Sequence, residues 1–238
     1  MRPREQRHQV APSANDWDNY WSEQRKSEAV YGVIADFYRR RIISKSLRRA
    51  FTRYVSPGSH CLHAGSGSGE VDRTLENKWS VVGLDFSYEA TLRYRQRHST
   101  ESVIVQADNF KLPFSDDKFD CVFNLGVMEH FGLDEISAML VEFRRVLKPN
   151  GVIILFWPPV YGLSVIVLRV VHKLIMLFNK GFTPLHPREI WLIRSRKQIR
   201  RTMELLNYKD VRFRFEIRDL FTHEIIIANS GKIETQIN

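Results

Sequence analysis

Cysteine is scarce in this 238-residue chain, which holds only Cys61 and Cys121. Each lies inside an apolar run that reads as a core strand. A disulfide scaffold and a cysteine-based zinc site are therefore not expected, and no other metal site is read from the sequence. Both thiols are expected to be buried and reduced. A secretory signal is also lacking. The first 15 residues are polar and basic, without an apolar h-region, so a cytoplasmic chain with a disordered tail over residues 1–14 is expected. There is no internal repeat and no low-complexity tract. The long apolar stretch Val160–Phe178 carries Arg169 and Lys173 near its centre, which argues against a membrane span.

Charge is unevenly spread. The net charge is +9, but residues 1–56 carry +6, residues 57–159 carry −4 and residues 160–238 carry +7. An acidic middle is thus flanked by two basic arms. Basic surfaces attract anions such as nucleic acid, anionic lipid or phosphorylated substrates. Apolar residues make up 43%, as in ordinary globular proteins. The length suits one α/β domain with small additions.

Hydrophobic spacing divides the chain. Asn15 to Val55 is helical in pattern, and Ser56-Pro57-Gly58-Ser59 stops it. Strands and helices then alternate. Strands are expected at His60–Ala64, Ser80–Leu84, Ser102–Gln106, Phe119–Asn124 and Val152–Trp157. Helices are expected at Val71–Leu75, Tyr88–Arg97 and Asp134–Leu147. Such alternation builds a parallel sheet covered on both faces. After Pro158-Pro159 the pattern changes to the apolar stretch, a helix from Ser195 to Asn207 with Ser195 as N-cap, and two last strands, Val211–Ile217 and Glu224–Ala228. Their short link suits antiparallel pairing.

The sharpest local signal is His63-Ala64-Gly65-Ser66-Gly67-Ser68-Gly69. Glycines at the end of a strand let backbone N–H groups approach a ligand closely. The spacing is G-x-G-x-G, with Glu70 where a dinucleotide fingerprint wants its third glycine. The second strand ends in Asp85, followed by Phe86; a carboxylate there can accept both ribose hydroxyls. The third strand leads into Asp108-Asn109-Phe110, where the carboxylate can accept from an adenine amine and the ring can pack on the base. Leu112-Pro113-Phe114 then turns back through Phe119-Asp120.

These motifs occur in a fixed order with Val127-Met128-Glu129-His130-Phe131 and Arg144-Arg145-Val146-Leu147-Lys148-Pro149-Asn150-Gly151. Together, over roughly residues 59–158, they resemble the class I S-adenosylmethionine-dependent methyltransferases. The resemblance is closest to the small-molecule branch that includes ubiquinone and menaquinone pathway enzymes. It implies a doubly wound α/β fold with a mostly parallel seven-stranded sheet, order 3-2-1-4-5-7-6, strand 7 antiparallel. It implies S-adenosylmethionine as cofactor, with Gly65, Ser66 and Gly67 along its methionine part. By the same carry-over Asp85 and Phe86 lie at the ribose, Asp108 and Asn109 at the adenine, and Asn124 and Leu125 beside the sulfonium. One position departs from the family. His63 stands where an acidic residue is usual, and is expected to face the cofactor's carboxylate.

Residues 57–229 are expected to form the methyltransferase domain, under an N-terminal helical lid over 15–56. Trp21, Tyr31 and Arg40 are its candidate contacts. Residues 160–194 would form an apolar helical cap, and 230–238 a C-terminal tail. His130, at the carboxyl end of the sheet, is the candidate catalytic base or substrate contact; His186 is a candidate cap of the pocket. Arg169, His172, Lys173, Asn179 and Lys180 form one basic stripe on a greasy helix. That suits a lipid-like acceptor or a membrane surface. Arg196, Lys197, Arg200 and Arg201 share a helix face that could meet phosphates. A small, apolar or lipid-linked acceptor is the favoured reading. An RNA methyltransferase using the basic arms, a nucleotide-dependent oxidoreductase and a non-catalytic cofactor-binding or membrane-associated module are the alternatives.

Overall fold

The computed structural model describes residues 11–26, 39–99, 102–163, 165–166, 189–215 and 222–232. Helix α1 is Ala14–Lys26, and a short π-helical turn, Arg39–Ile43, leads into α2, Ser44–Tyr54. The alternating region follows as β1 (His60–Ala64), β2 (Ser80–Asp85), α3 (Tyr88–Arg97), β3 (Val103–Gln106), β4 (Phe119–Leu125), α4 (Leu133–Val146) and β5 (Leu147–Trp157). The last elements are α5 (Arg196–Leu205), β6 (Lys209–Phe215) and β7 (Glu224–Asn229).

The seven strands form one sheet in the order β3-β2-β1-β4-β5-β7-β6. Neighbours run parallel, except that β7 is antiparallel to both β5 and β6. The expected topology is therefore present. Alternation along each central strand sends successive side chains to opposite faces. Leu62, Val122, Ile153, Leu155 and Ile226 meet Ile136, Leu140 and Phe143 of α4 and Met203 of α5. Cys61, Cys121, Phe123, Ile154, Ile225 and Ile227 meet Leu47, Ala50 and Phe51 of α2, with Trp79. Cys61 and Cys121 are register partners, buried and unbridged.

Three expectations need correction. Residues 44–54 are not part of a lid; the i, i+3, i+4 spacing of Leu47, Ala50 and Phe51 fixes α2 to the sheet face. Residues 70–78 form successive turns instead of a helix. Glu70 pairs with Arg40 and with Arg97, and Asp72 pairs with His63. Both carboxylates are buried, and helical i, i+2 side chains cannot face the same way. Residues 11–13 are not loose tail: Ser13 Oγ accepts from Asp16 N at the start of α1. The Lys148–Gly151 turn is drawn into β5 as a bulge, since Phe119 opposes Leu147 while Cys121 already opposes Val152.

The motifs travel together because Arg145 ties them. Its guanidinium donates to the carbonyls of Leu112 (2.9 Å) and Phe114 (2.8 Å) and to Asp116 (2.8 Å). Glu142, held below the usual carboxylate range chiefly by Arg145, accepts from Leu112 N at 3.0 Å. The Leu-Pro-Phe turn is thus fastened to α4.

On the other face Phe51 is fully buried, edge-on to Trp79 (5.3 Å) and Phe123 (4.8 Å). Phe51→Ala is expected to cost about 3–5 kcal/mol of folding stability, read as a lower midpoint in urea unfolding.

Candidate active site

The glycine loop is built by backbone conformation. Gly65, Gly67 and Gly69 have φ of 72°, 54° and 68°, a region that side-chain-bearing residues avoid. The N–H groups of Gly65 and Ser66 both donate to the carbonyl of Leu84, at 2.8 and 2.9 Å. The Asp85 carboxylate completes the clasp. It accepts from Gly67 N at 2.8 Å and from Ser87 N at 2.9 Å. Burial pushes its pKa up to about 6, with the two N–H donors opposing the rise.

Behind the loop lies a buried ionic network. His63 is 1% exposed and stacks on Phe123, with ring centroids 4.3 Å apart. Its Nδ1 is 2.6 Å from Asp72 Oδ2. A protein carboxylate thus holds Nδ1, while the buried Nε2 has no partner among the described residues. Asp72 also accepts from Tyr94 Oη at 3.3 Å and pairs with His98 Nε2 at 3.2 Å. Burial pushes the Asp72 carboxyl up, but His63 and His98 outweigh it and hold the group below the usual range. Burial opposes charge on His98, yet Asp72, Gly69 O and Glu76 raise its pKa. Asp72 thus places a carboxylate directly behind β1, nine residues on from His63.

A crevice of about 200 Å³ opens beside the loop, at the carboxyl ends of the parallel strands. Gly65, Asp85, Phe86, Asp108 and Asn109 line it, with Ala11, Pro12, Trp17, Phe110, Val127 and Phe131. Asp108 Oδ1 accepts from Phe110 N at 3.0 Å, which aims the Phe110 ring edge-on at Phe131. Ser66, Gly67, Asn124 and Leu125 are not part of this lining. Asn124 is buried beneath the loop, donates Nδ2 to Ala64 O at 2.6 Å and keeps Oδ1 without a partner. Leu125 packs toward the α2 face.

Helix α1 covers the loop. The Trp21 ring lies where a side chain on Gly67 would sit, 2.8 Å from that Cβ position. Asp18 accepts from Ser87 Oγ at 2.5 Å, and Arg93 donates to the carbonyl of Trp21. Arg40 reaches the loop as well, through Glu70. Tyr31 and His186 lie outside the described residues, as does most of the 160–194 cap with its basic stripe. The α5 cations are only partly available to phosphates. Arg196 donates to Glu224 at 2.7 Å and Arg200 to Val211 O at 2.5 Å.

After β4 the chain turns through Met128–His130. His130 is buried, edge-on to Trp17 at 4.9 Å. Its neighbour Glu129 is a residue that the sequence alone does not single out. That carboxyl is buried, its Oε2 has no partner, and burial raises its pKa to about 8. The signal for it is an acidic residue set between Met128 and His130 just past a strand tip.

Residues 62–155 match the family described as Methyltransferase domain. A probable tRNA methyltransferase 9B of Homo sapiens is 29% identical over 45% of this chain and 23% of its own length. A demethylmenaquinone methyltransferase of Staphylococcus epidermidis is 32% identical over 60% of this chain and 63% of its own length. The chain therefore spans less than two thirds of either relative. A solved structure of a SAM-dependent methyltransferase from Thermotoga maritima, described as a possible histamine N-methyltransferase, superposes with a TM-score of 0.62. It covers 90% of this chain and 100% of that one at 16% identity, and so shows the fold.

Glu129 gives a pH-dependent stability. Its folded pKa, about 8, exceeds the ordinary carboxyl value of 4.5. Between those values the native state keeps a proton that the unfolded chain releases, so stability falls as pH rises. Glu129→Gln stays neutral. Its stability relative to the wild type is expected to improve by on the order of 3–5 kcal/mol from about pH 5 to about pH 8, measured by urea unfolding at both.

Proposed function

We propose that this chain, whose residues 62–155 match the family described as Methyltransferase domain, transfers the methyl group of S-adenosylmethionine to a small, apolar acceptor. The observation that carries this reading is the crevice in which Gly65, Asp85 and Asp108-Asn109, from three strand tips, converge. The donor set suits the cofactor. Asp85 spends one lone pair of each oxygen on a backbone N–H and keeps others for two ribose hydroxyls. Asn109 Oδ1, Asn124 Oδ1 and Ser66 Oγ are buried polar atoms without protein partners. Such orphans are costly unless a ligand or water meets them.

When bound, S-adenosylmethionine supplies a methyl group already activated by a positively charged sulfur. The protein's task is then placement and exclusion of water. In this reading Gly65, Ser66 and Gly67 bring backbone close to the methionine part, while Phe86 and Phe110 flank the nucleoside. Asn124 and Leu125 stand at the tip of β4, nearest the reacting centre. Trp17 and Trp21 of α1 close the site from above. Where the acceptor must release a proton, Glu129, whose buried Oε2 has no partner, is a candidate to take it once cationic charge nearby has favoured its ionised form. His130 stays a candidate for orienting the acceptor from beneath Trp17.

The apolar character of the acceptor is supported by the lining: Ala11, Pro12, Trp17, Val127 and Phe131 face the space, with Glu135 the carboxylate on that side. The staphylococcal relative's name, a demethylmenaquinone methyltransferase, points the same way.

Calorimetry with S-adenosylhomocysteine and with NADH tests the reading. S-adenosylhomocysteine is expected to bind and NADH not; the reverse result would overturn it. Asp85→Asn is expected to weaken S-adenosylhomocysteine binding by roughly tenfold or more, since hydrogen bonds to a charged acceptor are lost. Wild-type affinity is expected to be flat at neutral pH and to fall below about pH 6, where the Asp85 carboxylate takes up a proton.

A further inference from the structure

Buried carboxyls in this fold have partners, with one exception. Asp72 has His63 and His98, Glu70 has Arg40 and Arg97, and Glu224 has Arg196. Asp85 accepts from two backbone N–H groups. Glu129 is 7% exposed, has its own backbone N–H as donor, and leaves Oε2 without a partner. The charged side chain that acts on it is another acid, Glu189; among the described residues no cation is set against the two.

The place of this carboxyl is well defined. Gly126, with φ of 71°, turns the chain out of β4, and a side chain there would sit 3.8 Å from Glu129 Oε1. The carboxyl therefore lies at the tip of β4, next after Asn124 and Leu125. Val127 and Phe131, on either side of it in the same turn, line the crevice. The chain at Ile190–Trp191 crosses the turn, and both its N–H groups donate to the Glu129 carbonyl, at 2.6 and 3.0 Å. Ile193 N, on the carbonyl of Pro158 at 3.2 Å, ties that crossing segment to the end of β5. An acidic group is thus set among apolar walls where the reacting centre is proposed to lie.

Burial, with Glu189 adding to it, keeps this carboxyl protonated near neutral pH. The chemistry of the ligand follows from what would satisfy it. A phosphate or a carboxylate would add a further negative charge. An alcohol or ketone would gain one hydrogen bond with a neutral partner. A protonated amine would draw the carboxyl into its ionised form and form a charge-assisted hydrogen bond with it, which is the strong kind.

We propose that Glu129 recognises the acceptor, and that the acceptor is an apolar compound bearing an amine. The inference rests on the methyl-transfer reading above and names its substrate class. As the ammonium enters, the Glu129 proton leaves to solvent and the carboxylate pairs with the ammonium. The ammonium then gives Glu129 a proton. The freed nitrogen lone pair forms the new bond to the methyl carbon, and the carbon–sulfur bond breaks with its electron pair left on sulfur. The product departs as the methylated ammonium, beside S-adenosylhomocysteine, and Glu129 is back in its protonated form.

Calorimetry on the full chain tests the proposal. S-adenosylhomocysteine is added first, and failure to bind it would overturn the methyl-transfer reading and this inference with it. The loaded protein at pH 7 then receives 2-phenylethylamine, tryptamine or octylamine, each compared with the alcohol of the same carbon frame. At least one amine is expected to bind about tenfold or more tighter than its alcohol. In phosphate and HEPES buffers, whose ionisation enthalpies differ, that binding is expected to release about one proton per amine. Glu129→Gln is expected to lose both the preference and the proton release, and Glu129→Asp to keep part of each. S-adenosylhomocysteine titration and urea unfolding of both variants report separately that they are folded. Amines that bind no better than their alcohols, or not at all, would overturn the inference and leave the parent reading standing. So would proton release unchanged in Glu129→Gln, or release already complete with S-adenosylmethionine alone, which would make the sulfonium the cation that Glu129 meets.

Discussion

One buried carboxylate sets the shape of the site. Asp85 sits at the tip of β2 and accepts from Gly67 N in the neighbouring loop and from Ser87 N at the start of α3. The loop can follow its left-handed path because glycines occupy its three special positions. It stays on that path because Asp85 and the Leu84 carbonyl take its N–H groups. Burial makes the arrangement electrostatically uncomfortable, as the raised Asp85 pKa indicates. A buried anion whose remaining lone pairs look into a crevice is poised for hydroxyl donors. In the proposed reading, ribose binding and loop geometry would thus draw on the same group.

Much of this was legible in the sequence, because it is written in short-range chemistry. The strands are legible as apolar runs of strand length separated by helical spacing, and the last two as a pair with a short link; their order in the sheet is what the resemblance implies, and it is the order found. Gly65, Asp85, Phe86, Asp108 and Asn109 could be named since strand tips in such sheets converge on one crevice. What escaped was set by contacts distant in sequence. The helix expected at 71–75 is replaced by turns because Asp72 is drawn to His98, and Glu70 to Arg97. Residues 44–54 read as lid because helical periodicity tells which face is apolar but not what covers it. Glu129 and His130 are adjacent letters, and only burial separates an unpartnered carboxyl from a ring lodged under Trp17.

At His63 the chain has an imidazole where the resemblance leads one to expect an acidic residue, and a carboxylate stands beside it instead. An imidazole in β1 carries no fixed negative charge, yet Asp72 lies 2.6 Å behind it. The anion has moved back by one side chain, and Tyr94 and His98 hold it in place. His98 in turn bonds the carbonyl of Gly69, so the network supports the far end of the same loop that Asp85 grips at its middle.

Helix α1 is fastened to the loop and α3 by Trp21 against Gly67, Asp18 on Ser87 and Arg93 on the Trp21 carbonyl. In the proposed reading, a molecule seated beneath Trp17 would exchange past α1, and its residence time would depend on how firmly these contacts hold the helix.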